Sequence, residues 1–228
     1  MKRLFAWTGA VLFLLSLLSF GLVYGWRLRV PAPDTGSTVR DAIDNIVLFT
    51  VFALHHSIMA RTGAKAWLIR VVPPDLERSV YVWIASVLFL AVCWMWQPLP
   101  GIAWSASGAL FWSLLAIQII GVAFTLRAAG VVGVWELAGV KQPDHSRPIE
   151  FRASGPFAIV RHPIYLGWLL IVFATPVMTM SRLLFAVISS VYLIVAIPLE
   201  ERSLVEAFPE KYGAYQRAMP WRLFPGLW

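Results

Sequence analysis

The sequence predicts an all-α integral-membrane protein. The expected architecture is a bundle of about six transmembrane helices, with five the other count the apolar runs permit, a C-terminal helical hairpin and an interfacial amphipathic tail. Three observations carry this. Hydrophobic residues make up 59% of the 228 and charged residues only 14%, a balance that a soluble domain does not have. Five or six apolar stretches approach the roughly 17–25 residues that a helix needs to cross a bilayer. The basic residues, finally, are shared very unevenly between alternate loops.

The first apolar run, about 4–26, contains no charge and continues to Gly25-Trp26 without a small-residue cleavage site. It reads as a retained helix, which is nearly the same statement as an uncleaved signal anchor. The second, about 42–60, has Asp44 near one end and His55-His56 near the other. The third and fourth, about 80–97 and 107–126, flank a turn from Trp94 to Trp104, rich in tryptophan and proline, that suits an interfacial aromatic belt. The last two, 164–180 and 183–199, are broken only by Ser181 and Arg182 and are expected to form the hairpin.

With six spans, one side of the membrane receives the N-terminus, 61–79, 127–163 and 200–228, which hold 15 of the 19 Lys and Arg residues. Arg27, Arg29, Arg40 and Arg182 fall on the other. The positive-inside rule then puts both termini, the Arg161-His162 loop and the C-terminal tail in the cytoplasm. The net charge of +7 is explained by topology and attraction to anionic lipid, and no nucleic-acid-binding pattern accompanies it. The single cysteine, Cys93, excludes a disulfide framework and a thiolate zinc site. The connection 127–162, with Pro143, Asp144, His145, Pro148 and Glu150, is long enough to be expected to act as a lid or ligand-binding loop.

That loop leads into Arg161-His162-Pro163. Proline suits the first position of a helix, so His162 is expected at the cap, where free N–H groups and the helix dipole favour a carboxylate or phosphate. Arg161 adds a full positive charge, Tyr165 a flat ring, and Gly167 a place where something can approach the backbone closely. Glu200-Glu201 lie where the last apolar run ends. The hairpin brings them back to the same rim, and a carboxylate there attracts a cationic group. The plainer alternative has Arg161 on lipid phosphate, Tyr165 as an interfacial anchor, and the glutamates solvated beside Arg202 and Lys211. In the tail, Leu204, Phe208, Tyr212, Tyr215 and Met219 recur at three- and four-residue intervals, as on an interfacial amphipathic helix. His55 and His56, adjacent and about 100° apart on a helix, do not make a metal pair, and no metal is expected.

R-H-P-I-Y-L-G, followed by E-E-R-S-L-V-E-A-F-P-E-K-Y-G-A-Y-Q-R-A-M-P-W-R-L-F-P, resembles the C-terminal pattern of the isoprenylcysteine carboxyl methyltransferase and phospholipid methyltransferase superfamily. F-A-L-H-H-S-I-M-A-R, E-R-S-V-Y-V-W-I-A-S and the A-T-P-V-M-T run resemble its nurim-like branch, which includes methanethiol S-methyltransferases. Pro209 and Met219 depart from the pattern, where glycine and valine are usual. The resemblance implies S-adenosylmethionine as cofactor, held by Arg161, His162, Tyr165, Gly167, Glu200 and Glu201. It divides the single membrane domain, 1–228, into a four-span region, 1–126, and a cofactor-binding catalytic region, 127–228. The implied acceptor is a small thiol such as methanethiol, or another lipid-soluble molecule reached among membrane lipids. An isoprenylcysteine carboxylate or a phospholipid amine is the enzymatic alternative, and a nurim-like scaffold the non-enzymatic one. Because the thiolate is the nucleophile, a base is needed, and His162 and then His56 are the candidates.

Overall fold

The computed structural model describes residues 1–34, 36–59, 61–141 and 153–228, with backbone alone at 62, 65 and 66. The expected loop residues Pro143, Asp144, His145, Pro148 and Glu150 lie outside the described residues. In chain order the elements are α1 (Lys2–Gly25), α2 (Thr38–Met59), α3 (Thr62–Leu68), α4 (Glu77–Met95), β1 (Ile102–Ser105), α5 (Gly108–Val132) and α6 (Val134–Leu137). They continue as α7 (Pro163–Phe173), β2 (Val177–Thr179), α8 (Met180–Ala207) and α9 (Pro209–Ala218). Among the described residues, five helices are long and apolar enough to cross a membrane: α1, α2, α4, α5 and α8. Leu14, Leu18 and Leu22 of α1 and Leu110, Ile119 and Leu126 of α5 are exposed, as side chains facing lipid are.

The sixth expected span is shorter than its apolar run. α7 stops at Phe173, and its 11 residues rise about 16 Å, half of the roughly 30 Å hydrocarbon layer. Pro176 has no N–H to give and disfavours helix at Thr175 before it, so the chain becomes extended. β2 then pairs antiparallel with β1, Trp104 opposite Met178 and Ser105 opposite Val177. Ala174, Thr175, Pro176, Met178 and Thr179 are buried. This is the setting in which non-helical backbone is tolerated at membrane depth. The hairpin's second helix starts three residues before its expected bound and keeps Arg182 in its first turn.

The described residues fall into two compact units. The first comprises 1–105, 135–141 and 177–188, the second 106–134, 153–176 and 189–228. The first is built on α1 packed along α4. Gly9 lets the helices close, since a Cβ there would lie 2.8 Å from the Trp83 indole, whose N–H donates to the Phe5 carbonyl at 3.0 Å. Its core is aromatic: Phe185 lies 5.2–5.6 Å from the rings of Phe20, Tyr24, Phe49 and Trp96. Trp96 is thus a core residue, 1% exposed, while Trp94 and Trp104 are exposed as expected of a belt. Arg182, expected in a loop, is 3% exposed. Its guanidinium donates to the carbonyls of Tyr24 (2.8 Å), Gly25 (2.8 Å) and Val177 (2.5 Å) and lies over the Tyr24 ring.

The second unit rests on α5 crossing α7. A Cβ at Gly167 would meet Thr125 Oγ1 at 2.1 Å and the Gly121 carbonyl at 2.9 Å. The two backbones therefore touch. Gln118 donates to the Ile171 carbonyl at 2.8 Å, and the Trp168 indole donates to Ser189 of α8 at 3.0 Å.

Candidate functional site

The second unit gathers four of the six expected cofactor residues around one carboxylate. Pro163 opens α7 at its first position, with His162 as the cap residue. The two residues before the helix are tied to the C-terminal tail: the Arg161 N–H donates to the Trp221 carbonyl at 2.9 Å and the His162 N–H to the Arg222 carbonyl at 3.0 Å. α8 continues past Pro198 to present Glu200 and Glu201. Adjacent residues on a helix diverge by about 100°, and here that angle separates inside from outside.

Glu201 is the inner one, 4% exposed. Its Oε1 lies 2.8 Å from Arg161 Nε and 3.1 Å from His162 Nε2, and its Oε2 accepts from Arg222 Nε at 3.2 Å. The Arg161 contact is a close ion pair, and its buried Nε–H makes no well-aligned hydrogen bond among the described residues. Arg161 Nη1 donates to the Met219 carbonyl at 3.3 Å. Glu200 is the outer one, with 47% of its side chain exposed. Its Oε2 accepts from the Tyr165 hydroxyl at 2.7 Å and lies 3.6 Å from His162 Nδ1. Tyr165 stacks on His162, centroids 5.3 Å apart. A buried carboxylate that faces two guanidiniums thus stands beside a half-exposed one whose partners are the Tyr165 phenol and the His162 ring. The first is enclosed by cations; the second faces outward.

The remaining expected residues fall elsewhere. The close approach anticipated at Gly167 is that of α5, so the space over its Cα is filled by Thr125 and Gly121. His56 belongs to the first unit, where it is exposed and its Nδ1 lies 2.8 Å from the Tyr81 hydroxyl. Arg202 pairs with Glu206 at 3.2 Å and leaves Glu201 to Arg222. Arg222 and the tail tyrosines are the members sequence reasoning missed. The expected amphipathic stripe breaks at Phe208, where Pro209 starts α9. Tyr212 is 2% exposed, and the Tyr215 hydroxyl donates to the Phe157 carbonyl at 2.7 Å. Burial holds both phenols above the ordinary tyrosine range, Tyr215 at about 12, with Arg161 opposing and Glu201 reinforcing the effect. The motif W-R-L-F-P carried the available signal for Arg222, a cation following the segment that folds back on Glu200-Glu201.

Comparison with known proteins locates this cluster in a family. Residues 109–211 match the phospholipid methyltransferase family. Methanethiol S-methyltransferase 1 of Bradyrhizobium diazoefficiens is 36% identical over 227 residues, covering 93% of this chain and 79% of that protein. The methanethiol S-methyltransferase of Mycobacterium tuberculosis is 37% identical over 237 residues, covering 93% and 94%. A nurim homologue of Drosophila pseudoobscura is 26% identical, covering 85% and 83%. No solved structure matches. The chain is therefore an integral-membrane methyltransferase of the phospholipid methyltransferase family, on the side of it that holds the methanethiol S-methyltransferases and, at greater distance, the nurim proteins.

Proposed function

We propose that the protein transfers a methyl group from S-adenosylmethionine to a small thiol of the methanethiol kind, giving a thioether. The observation that carries the reading is the split between Glu201 and Glu200. A donor with a carboxylate, an ammonium and a sulfonium needs both signs of charge in one place, and the cluster supplies both. Arg161, paired through Nε with Glu201 at 2.8 Å, adds positive charge beside the N-terminus of α7, which suits the donor carboxylate. Glu200 with Tyr165 fits a cationic group, the phenol ring adding cation–π attraction. His162, engaged towards both glutamates, holds the α7 cap in place. The bound cofactor supplies an activated methyl group; the protein's part is to align it with the acceptor sulfur, and positioning of this kind contributes on the order of 7–11 kcal/mol. Relatives named for methanethiol, matched over most of both chains, favour the thiol over a prenylcysteine carboxylate or a phospholipid amine.

The orientation we infer has both termini in the cytoplasm of a bacterial inner membrane, with the Arg161 cluster at the cytoplasmic rim among lipid headgroups. α7 adds about 16 Å to six extended residues at roughly 3.3 Å each, so Pro163–Thr179 has the contour to make the sixth crossing. The test is calorimetric binding of S-adenosylmethionine to protein in detergent, followed by headspace detection of dimethyl sulfide from methanethiol. Saturable binding with thioether production is expected. Binding with methyl transfer only to a prenylcysteine or a phospholipid would overturn the acceptor. No binding by folded protein would overturn the donor.

A further inference from the structure

In the first unit, three stretches distant in sequence meet around a surface cavity of about 230 Å³. Lys2, Arg3 and Trp7 come from α1, Asp75 from the short turn before α4, and Val140 from the segment that follows α6. That segment is fixed in place. Arg78 Nε donates to the Glu136 carbonyl, Ser79 Oγ donates to the Gly139 carbonyl at 2.7 Å, and a Cβ at Gly139 would lie 2.9 Å from Val82. Trp135 packs edge-on against Trp7, centroids 5.5 Å apart. Lys2 is joined to Asp75 at 2.8 Å, with both side chains more than half exposed. The exposed Arg3 guanidinium has no acidic or hydrogen-bonding partner among the described residues. Two cations and one carboxylate thus leave the lining with one net positive charge. From the cavity, Trp7, Val11, Leu14 and Leu18 follow one another at helical spacing along α1, each between 49% and 57% exposed.

We infer that this cavity binds the headgroup of an anionic phospholipid, with Arg3 on the phosphodiester, Lys2 beside it, and an acyl chain along the apolar stripe of α1. The inference goes beyond methyl transfer and holds whichever acceptor the enzyme uses. A phosphodiester with an uncharged headgroup carries one negative charge, which matches the net charge of the lining. Arginine presents a planar fork of N–H donors that can reach two phosphate oxygens at once. The exposed Lys2–Asp75 pair is worth little in water, so Lys2 is free to turn towards a phosphate. Trp7 and Trp135 are the amphipathic rings found at headgroup level. The cavity is several times the roughly 30 Å³ that one water molecule occupies, room enough for the headgroup oxygens. The stripe from Trp7 to Leu18 then runs for about 16 Å of helix. It decides between a lipid and a free phosphate compound, which shares the charge chemistry but has no chain to lay there.

The experiment titrates delipidated full-length protein in detergent with phosphatidylglycerol, phosphatidylethanolamine and phosphatidylcholine of identical chains. Native mass spectrometry reads the first lipid bound, and soluble glycerol 3-phosphate is titrated alongside. Wild type is expected to bind phosphatidylglycerol roughly 10-fold more tightly than either zwitterionic lipid. Arg3→Gln should lose roughly 10-fold in that affinity. Arg29→Gln, which removes a charge just past the far end of α1, should leave it unchanged. Asp75→Asn should gain roughly 3-fold, because Lys2 is released to the phosphate. Such a gain is not what a merely structural role for Asp75 produces. Equal affinity for the three lipids, or equal losses in Arg3→Gln and Arg29→Gln, would overturn the site. Tighter binding of phosphatidylethanolamine would make Asp75 an ammonium acceptor and overturn the anionic assignment. Glycerol 3-phosphate bound as tightly as phosphatidylglycerol would overturn the lipid. Should Arg3→Gln fail to fold, Asp75→Asn, which keeps both cations, decides the matter: without a gain in affinity the inference is wrong.

Discussion

The two adjacent glutamates should respond to the same substitution in opposite ways. Glu201→Gln keeps the volume and an acceptor oxygen but removes the charge that faces Arg161, His162 and Arg222. Arg161 has 8% of its side chain exposed, so its charge is left without an ion-pair partner and largely out of water. Removing one partner of such a buried pair costs about 3–5 kcal/mol. At roughly 2–4 °C per kcal/mol for a chain of this size, the unfolding midpoint should fall by on the order of 10 °C. Glu200→Gln removes a half-exposed carboxylate that accepts one phenolic hydrogen bond, a change of about 1 kcal/mol or less. It should leave the midpoint within about 3 °C and weaken donor binding instead. Thermal unfolding in detergent, with calorimetry on the same samples, reads both quantities. If Glu200→Gln is the destabilised variant, or Glu201→Gln unfolds like wild type, the division into organiser and ligand-facing carboxylate is wrong.

Three further outcomes follow from the geometry. Gly167→Ala places a Cβ 2.1 Å from Thr125 Oγ1, and the overpacking should cost about 1–3 kcal/mol in thermal unfolding. Gly167→Ala combined with Thr125→Ala should recover part of it. Tyr215→Phe loses the bond to the Phe157 carbonyl, about 1 kcal/mol. Because the Tyr215 pKa is raised in the folded state, its contribution is complete below pH 10 and falls away as pH rises towards 12. Alkaline unfolding in that window should therefore be less steep in the variant. Cysteine placed at Gln216 should label from the cytoplasm and cysteine at Gly36 only from outside, whereas cysteine at buried Arg182 should label from neither side.

Much of this was legible because apolar length and the punctuation of helices are local properties. Pro163 announced the start of α7, and the hydrophobic runs located the five long helices. Glu200-Glu201 and Arg161-His162 were expected near one another because a hairpin returns its ends. What escaped depended on distant partners. Nothing near Gly167 in sequence indicates that Gly121, 46 residues earlier, fills the space above it. The tail's aromatic spacing suits a lipid interface and a protein groove equally, and only the fold-back of α9 puts Tyr212 and Tyr215 against the site. Trp96 has the composition of a belt residue and the environment of a core one. Thr175-Pro176 was a readable break, but an apolar run long enough to cross outweighed it. Which glutamate faces inward was beyond reach, since a single residue's rotation on a helix decides it.

The buried Arg182 bears on the order in which the chain is assembled. Its guanidinium binds the Tyr24 and Gly25 carbonyls across separations of 158 and 157 residues. Tyr24 is buried, so protein rather than water satisfies its carbonyl. Until synthesis reaches Arg182, these two bonds at the end of α1 cannot form. Four-fifths of the protein must be made before the first helix is sealed. Sealing of the end of α1 is thus a late event in biogenesis, set by a residue more than 150 positions further along the chain.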